Sequence, residues 1–200
     1  MKAIRQREII KTFYKVAKKE GLENASLAKT AKAMHINPSL IVHYFPSKDD
    51  LIYGLIDYIL DKYVQIFRVH PRMSGDPKTQ LFQIIDNIFS KKWNTLFDDG
   101  VSYSCYSLTF RDKKVRRKYR NLLDTLRQTL EQLIRQCMAD KVLKVDDPAS
   151  TADLIFILVD GAYYYLSLVE DKMEYNRRLT RYKQRALQLL NLTENVISKK

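Results

Sequence analysis

The stretch Ser26–Lys48 constrains the fold of this chain more than any other segment. It predicts two short helices joined by a tight turn. Ser26 is a favourable N-cap for the first helix, and Asn37 followed by Pro38 is a favourable start for the second. Two short helices around a turn at His35 form a helix-turn-helix, a motif whose second helix lies in the major groove of DNA.

The residues that end and fill this motif agree with it. Pro46 ends the second helix, and Ser47 with Asp50 three positions later predicts the cap of a further helix. The inward faces of the two short helices carry apolar residues at helical spacing. We expect these residues to form core: Leu27, Ala31, Met34, Ile36, Ile41 and Phe45.

The positive charge of the chain is concentrated around this motif. The net charge is +12, and residues 1–48 hold ten Lys or Arg against three Asp or Glu, a balance of +7. A second concentration lies at residues 111–120, with seven basic residues against one acidic residue. A basic surface around a helix-turn-helix is the electrostatic signature of a protein that binds DNA.

The rest of the chain is also predicted to be helical, which gives an all-α fold. No stretch alternates polar and apolar residues over the length of a strand. The segment His70–Pro77, dense in Pro, Gly, Ser and Asp, is the clearest linker, and we place a domain boundary near it. Besides the two short helices, the predicted helices run approximately over residues 4–20, 48–68, 78–97, 101–110, 113–139, 148–170 and 174–192.

Several classes of protein are disfavoured by the sequence. The first residues are charged and lack an apolar segment, so we expect no signal peptide, and the run Leu154–Val159 is too short to cross a bilayer. Two cysteines form neither a disulfide framework nor a zinc set, so a reducing cytoplasm is expected. The histidines do not pair with carboxylates at metal-ligand spacing, and no Gly-rich phosphate loop is present. We therefore predict no enzyme, no catalytic residue, no metal and no cofactor.

With these observations in place, residues 27–48 resemble the TetR family of bacterial transcription regulators. Ala31, Ile36, His43-Tyr44-Phe45 and Ser47-Lys48 are similar to the recognition-helix signature of that family. The resemblance implies a three-helix DNA-binding head at 1–48, a long connecting fourth helix at 48–68, and a helical ligand-binding and dimerisation bundle at 69–200. It also implies a homodimer through the last two helices, most simply a repressor that leaves a palindromic operator when a small-molecule inducer binds.

The chain departs from the family pattern inside the motif. His35 stands where the family usually has Gly, at a cost of about 1 kcal/mol for a left-handed residue. Thr30 stands where an apolar residue is usual. The run Pro38–Val42 (PSLIV) replaces a more polar family sequence, so we expect methyl and shape readout rather than an arginine-to-guanine code.

The candidate DNA-binding residues lie on the exposed side of the motif. Pro38, Leu40 and Val42 suit thymine methyl groups. Exposed Leu and Val side chains close together are unfavourable on a surface without a partner, which also favours DNA contact. Tyr44 and Lys48 resemble a phosphate-contacting pair, while capping alone explains Ser26 as well as phosphate binding does. The full set is Ser26, Lys29, Pro38, Ser39, Leu40, Val42, His43, Tyr44 and Lys48.

Aromatic residues are the candidates for the inducer pocket that the resemblance implies. Each one alone is more simply explained as core. As a set they suit a flat or cationic lipophilic molecule, because tyrosine faces attract cations. The candidates are Trp93, Tyr103, Tyr106 and Tyr164. Asp160, inside an apolar helix, is either an acid of the pocket or one member of a surface pair.

Two features of the sequence leave alternatives open. The basic cluster, defined as Arg111, Lys113, Lys114, Arg116, Arg117, Lys118 and Arg120, is either a solvated face or a second contact for DNA phosphates or another anionic partner. Cys105 and Cys137 are expected to be buried packing residues rather than a redox switch. The alternative to a regulator is a helical ligand-binding or adaptor protein whose basic end meets a membrane or an acidic partner.

Overall fold

The computed structural model describes residues 2–68 and 75–192, and this part of the chain forms ten α-helices. They are α1 Lys2–Glu20, α2 Leu27–Met34, α3 Pro38–Tyr44, α4 Lys48–Phe67, α5 Pro77–Ile88, α6 Lys92–Leu96, α7 Asp99–Ser107, α8 Lys113–Ala139, α9 Pro148–Leu166 and α10 Lys172–Leu189. A 3₁₀ turn, Leu108–Phe110, follows α7. The predicted all-α fold is confirmed. No helix in the described ranges has the length and apolar character needed to cross a membrane.

The described residues pack as two units. The first comprises the chain up to Tyr63 together with Asn94–Asn121, and the second comprises Val64–Trp93 and the chain from Leu122 onward. Helices α4 and α8 therefore each contribute residues to both units. The functional division at the linker stays a prediction, and residues 69–74 of that linker lie outside the described ranges.

The first unit is built on α1, whose buried face packs with α2 and α7. Helix α1 ends at Glu20 because Gly21 adopts a left-handed conformation (φ 84°), a conformation that glycine accepts without strain. Gly54 permits a close approach of α4 to α1, since a Cβ atom there would lie 2.6 Å from the Ile10 Cδ1 atom. The buried face of α1 consists of Ile9, Ile10, Phe13, Val16 and Ala17.

A side chain that bonds to the backbone interrupts one predicted helix. The prediction of a single helix over 78–97 is wrong, since α5 ends at Ile88 and α6 begins at Lys92. The Ser90 hydroxyl donates to the Asn87 carbonyl (2.8 Å) and accepts the Lys92 amide (3.2 Å). Such local bonds offer the backbone an alternative to the helical pattern, which is why the helix breaks here.

Aspartate caps move two other helix starts from their predicted positions. The Asp98 carboxylate accepts the Val101 amide (3.0 Å), so α7 begins at Asp99. The Asp171 carboxylate accepts the Glu174 amide (2.6 Å), so α10 begins at Lys172. Both aspartates satisfy amides that a helix end leaves unpaired.

Candidate DNA interface and ligand region

Helix α2 begins with a cap that also accounts for an unusual buried hydroxyl. The Ser26 hydroxyl accepts the Lys29 amide (3.2 Å), which confirms the predicted N-cap. Thr30 is fully buried, and its hydroxyl donates to the Ser26 carbonyl (2.8 Å). Because this hydroxyl is hydrogen-bonded, threonine fits a position where an apolar residue is usual.

The turn between α2 and α3 depends on a left-handed histidine. His35 has φ 55° and ψ 42°, and its amide donates to the carbonyls of Ala31 and Lys32. The next amide, that of Ile36, donates to the Ala31 carbonyl at 3.1 Å. His35 therefore performs the helix-ending role that glycine usually fills, and it does so with the steric cost of a Cβ atom.

Helix α3 is held by its cap and by two buried side chains. The Asn37 side-chain oxygen accepts the Ser39 amide and the Ser39 hydroxyl, both at 2.9 Å. Ile41 and Phe45 are buried, as is Ala31 of α2, while the other three predicted core residues of the motif are half-buried: Leu27, Met34 and Ile36. Burial on one side fixes which side of α3 faces outward.

The outward face of α3 has the apolar character that the sequence predicts. Leu40 is 36% exposed and Val42 is 46% exposed, and Pro38, Ser39 and His43 are exposed beside them. Tyr44 is half-buried, and its ring meets the His43 ring edge-on with 5.1 Å between the ring centres. The face thus offers methyl and methylene groups with a few polar atoms.

Two predicted phosphate contacts have partners inside the protein. The Lys48 ammonium donates to the Glu23 carbonyl (2.7 Å), and the Lys29 ammonium lies 2.6 Å from the Glu20 carboxylate. The hydrogen bond from Lys29 lowers the pKa of the Glu20 carboxyl. Both ammonium groups are therefore held close to the N-terminal ends of α2 and α4.

A buried lysine in α4 is a feature that the sequence prediction missed. Lys62 is only 6% exposed, and its ammonium lies 3.7 Å from the centre of the Tyr14 ring and 4.7 Å from that of Tyr58. Desolvation lowers the pKa of Lys62 to about 8, with the nearby Asp98 carboxylate opposing the shift. The available signal was its spacing, since Lys62 follows Ile59 by three residues on the apolar side of the helix.

Trp93, one of the ligand candidates, belongs to an aromatic group in the second unit. Its ring stacks on the Tyr163 ring with 4.1 Å between centres and 9° between planes. The Tyr163 hydroxyl donates to the Ile88 carbonyl at 2.8 Å, which fixes that ring. Phe67 and Phe156 stack in the same unit at 5.7 Å.

The four ligand candidates divide between the two packing units. Tyr103 and Tyr106 belong to α7 in the first unit, where they are 40% and 45% exposed. Trp93 and Tyr164 belong to the second, and Tyr164 is 64% exposed. No observation tests their role, so they stay predictions.

Asp160 and the two cysteines have perturbed acid–base properties. Burial raises the pKa of the Asp160 carboxyl although part of the residue meets solvent, and Arg127 opposes the shift. Burial also raises the pKa of the Cys105 thiol to about 12 and that of Cys137 to about 11. Both cysteines are buried, as the sequence predicts, and their thiols stay protonated near neutral pH. Residues 2–68 and 75–192 contain no group of three or more His, Cys, Asp or Glu that suits a metal ion.

Two cavities lie in the first unit. A cavity of about 130 Å³ is lined by Asp49, Ile52, Tyr53, Leu108, Asp112 and Val115. An open one of about 370 Å³ is lined by Gln6, Arg7, Ile10, Phe45, Gly54, Asp57, Tyr58 and Asp61. Neither is lined by a residue predicted to contact ligand.

Two parts of the chain match known protein-family profiles. Residues 9–53 match the profile described as bacterial regulatory proteins, tetR family. Residues 76–192 match the profile of a Tetracyclin repressor-like C-terminal domain. The chain belongs to the TetR family.

Solved structures of TetR-family and other transcriptional regulators share the fold. A TetR transcription regulator from Haloarcula marismortui ATCC 43049 has a TM-score of 0.80 at 18% identity, covering 96% of this chain and 100% of its own. A TetR-family regulator from Cytophaga hutchinsonii has a TM-score of 0.77 at 15% identity, with coverage of 96% and 98%. A regulator from Saccharomonospora viridis, crystallised in complex with choline, has a TM-score of 0.70 at 16% identity, covering 91% and 95%.

One curated TetR-family relative matches part of the chain. The HTH-type transcriptional regulator BetI from Stenotrophomonas maltophilia (strain R551-3) is 26% identical over 87 residues. That match spans 43% of this chain and 44% of the relative. TetR-family regulators are DNA-binding transcription factors rather than enzymes, typically with a ligand-binding C-terminal domain.

Proposed function

We propose that this chain is a homodimeric, ligand-responsive cytoplasmic repressor that leaves its operator when a small lipophilic or cationic inducer binds. The surface of α3 is the observation that carries the proposal. Ile41 and Phe45 anchor the helix from within, while Leu40 and Val42 lie on its exposed side. An exposed apolar face on a helix of this kind suits the major groove of DNA, where thymine presents a methyl group.

Phosphate contacts would fix the position of that helix on the duplex. Lys29 and Lys48 place ammonium groups at the ends of α2 and α4, and Tyr44 and Ser26 add hydroxyl groups nearby. Phosphate contacts set register and orientation, while contacts with base edges give sequence preference. We infer an operator with thymines opposite Pro38, Leu40 and Val42.

The exposed apolar face of α9 supports a dimer through the last two helices. Ile157 and Tyr164 are 63% and 64% exposed, and the adjoining Leu168 is 69% exposed. These residues recur at helical spacing, so they form one stripe. Gly161 lies on that stripe, and a Cβ atom added there would meet nothing within 4 Å of the same subunit. A two-fold dimer would cover the stripe and would match a palindromic operator with half-sites about one turn of DNA apart.

The second unit supports the proposal of a lipophilic or cationic inducer. Trp93 stacked on Tyr163 offers a flat aromatic surface, and the faces of such rings attract cations. The regulator from Saccharomonospora viridis that shares this fold was crystallised with choline, a quaternary ammonium compound. An inducer would release DNA only by binding more tightly to the state that does not bind DNA. Since α4 contributes to both units, we infer that it transmits the change.

The test is binding of the purified protein to the DNA upstream of its own gene, measured by fluorescence anisotropy near physiological salt. We expect tighter binding to this fragment than to a base-shuffled fragment of equal length, and a loss of binding on titration with lipophilic quaternary ammonium compounds. Equal affinity for both fragments would contradict the operator, and binding that no such compound weakens would contradict the inducer class. The alternative of an adaptor that meets a membrane predicts anionic-vesicle binding without sequence preference.

A further inference from the structure

The basic cluster at the start of α8 belongs to the same packing unit as the helix-turn-helix. That unit includes residues 94–121, so it contains all seven basic side chains of the cluster. Residues 111–120 hold seven basic residues and one acidic residue. Such a concentration of charge is costly to assemble unless it has an anionic partner or wide separation in solvent.

Arg116, Lys118 and Lys114 make contacts within the unit. The Arg116 guanidinium donates to the carbonyls of Thr109 (2.7 Å) and Phe110 (3.2 Å), which holds the turn before α8. Lys118 pairs with Asp57 of α4. The Lys114 ammonium lies over the Tyr53 ring at 4.0 Å.

Three others, Arg111, Lys113 and Arg117, have no such role. All are exposed, and within residues 2–68 and 75–192 none of them forms an ion pair. Lys113 and Arg117 are four residues apart in α8, so they lie on one face of the helix. That face is therefore positively charged and directed to solvent.

Two contacts between α4 and α8 show where α8 begins along α4. The Tyr53 hydroxyl donates to the Asp112 carboxylate (2.7 Å), and further along both helices Asp57 pairs with Lys118. Since the residue numbers rise together, α8 runs in the same direction as α4 and begins beside its second turn. Lys48, at the start of α4, precedes Tyr53 by about 7.5 Å of helix rise.

We propose that Arg111, Lys113 and Arg117 bind phosphates of the operator backbone beyond the base pairs that α3 reads. The inference rests on the proposed function, because it needs a duplex seated on α3. Helix α3 ends at Tyr44 and α4 begins at Lys48, so the start of α4 lies at the DNA-facing end of the unit. The parallel start of α8 lies beside the second turn of α4, about 7.5 Å along the helix axis from Lys48. A flexible Arg or Lys side chain needs only a charge, not a fixed geometry, to meet a phosphate.

An anionic membrane is the main competing partner for this surface. Phe110, which is 71% exposed, precedes the cluster and would suit a lipid interface. DNA is favoured because the charged face lies beside the second turn of α4, in the same unit as the helix-turn-helix. Only contact with DNA makes the effect of these residues depend on the length of the duplex, so duplex length distinguishes the two partners.

The experiment compares K113Q/R117Q with K144Q/K172Q, a control that removes two exposed positive charges from the second unit. Dissociation constants are measured across a range of salt concentrations on two operator duplexes. One ends at the outer edges of the half-sites, and the other extends about one helical turn further at each end. A charge-keeping variant, K113R/R117K, checks that charge rather than packing is responsible.

On the long duplex, K113Q/R117Q is expected to lower the slope of log Kd against log salt by about 2 to 4 for the dimer, since each lost phosphate contact removes about 0.9. On the short duplex, K113Q/R117Q should show the wild-type slope. K144Q/K172Q and K113R/R117K should show the wild-type slope on both duplexes. An unchanged slope on the long duplex, alongside sequence-selective binding by the wild type, would overturn this inference alone. The inference would also be overturned if K113Q/R117Q lost binding to anionic phosphatidylserine vesicles while its operator affinity stayed at the wild-type value. If the wild type itself shows no sequence preference, the proposed function fails instead.

Discussion

The Lys62 ammonium lies 3.7 Å from the centre of the Tyr14 ring, which joins α4 to α1 through a buried positive charge. The Tyr58 ring closes a second side at 4.7 Å, and Tyr14 and Tyr58 meet edge-on at 5.7 Å. Cation–π attraction favours the charged form, whereas desolvation disfavours it. Since the pKa of Lys62 falls to about 8, desolvation is the larger effect.

This arrangement predicts that stability depends on pH through Lys62. Between about pH 8 and pH 10 the unfolded chain keeps the lysine proton that the folded chain has lost, so the free energy of unfolding rises with pH. We expect it to rise by about 1–2 kcal/mol more in the wild type than in K62M between about pH 7.5 and pH 9.5. Urea denaturation at both pH values measures this difference. The exposed lysine of the same unit, Lys15, provides the control, because K15M should keep the wild-type rise. A rise of equal size in K62M would refute the explanation.

At His35 we expect glycine to give a more stable protein than alanine, the reverse of the order expected inside a helix. At a left-handed position a Cβ atom costs about 1–2 kcal/mol, so H35G should be more stable than H35A by roughly that amount. At Lys32, inside α2, the order should reverse by about 0.5–1 kcal/mol, because glycine weakens a helix interior. Four urea denaturation curves test both orders. The same order at both positions would mean that His35 is not strained.

Neighbouring residues of α3 are expected to separate DNA binding from folding. Ile41 is fully buried, so I41A should lose about 2–5 kcal/mol of stability through the cavity it leaves. Leu40 and Val42 are exposed, so L40A/V42A should change stability by less than about 1 kcal/mol. The same double variant should lower operator affinity at least about tenfold, the scale of a lost base-pair contact. Thermal denaturation and anisotropy titrations measure the two effects. Full operator affinity in L40A/V42A would remove these residues from the interface.

The exposed stripe of α9 predicts that a charge placed there disrupts a dimer. I157E puts a carboxylate in the centre of the proposed two-fold interface, where a second copy of the same charge faces it. Sedimentation velocity should show a dimer for the wild type and a monomer for this variant. Ile4 of α1, which is 67% exposed, supplies the matched control, and I4E should remain a dimer. A wild-type monomer would contradict the proposed dimer, and an I157E dimer would place the interface elsewhere.

The sequence predicted best those features that depend on residues close together in the chain. Ser26 and Asn37 cap α2 and α3 as expected, by accepting the amides of Lys29 (3.2 Å) and Ser39 (2.9 Å). Capping needs only a side chain within three residues of the amide it satisfies, so local sequence determines it. The exposed face of α3 was predictable for the same reason, because its burial pattern follows one short helix.

Features that join distant parts of the chain were less accessible from the sequence. Lys62 contacts Tyr14, which lies 48 positions away in the sequence, and Trp93 stacks on Tyr163, which lies 70 positions away. Helical periodicity places a residue on an inner or outer face but does not say which ring it meets. The break at Ser90 was missed because serine is tolerated inside many helices, and only its bonds to Asn87 and Lys92 show that it ends one here.

The most direct test of the account is to select bound sequences from a pool of random DNA duplexes at physiological salt. Wild-type protein and L40A/V42A would be run in parallel. The account predicts that the wild type enriches a two-fold symmetric sequence with half-sites about one helical turn apart and thymines at fixed positions in each. L40A/V42A should lose the preference at those thymines while keeping the symmetry and spacing. Selection that enriches no sequence, or a wild-type site with only G·C pairs facing α3, would contradict the central claim.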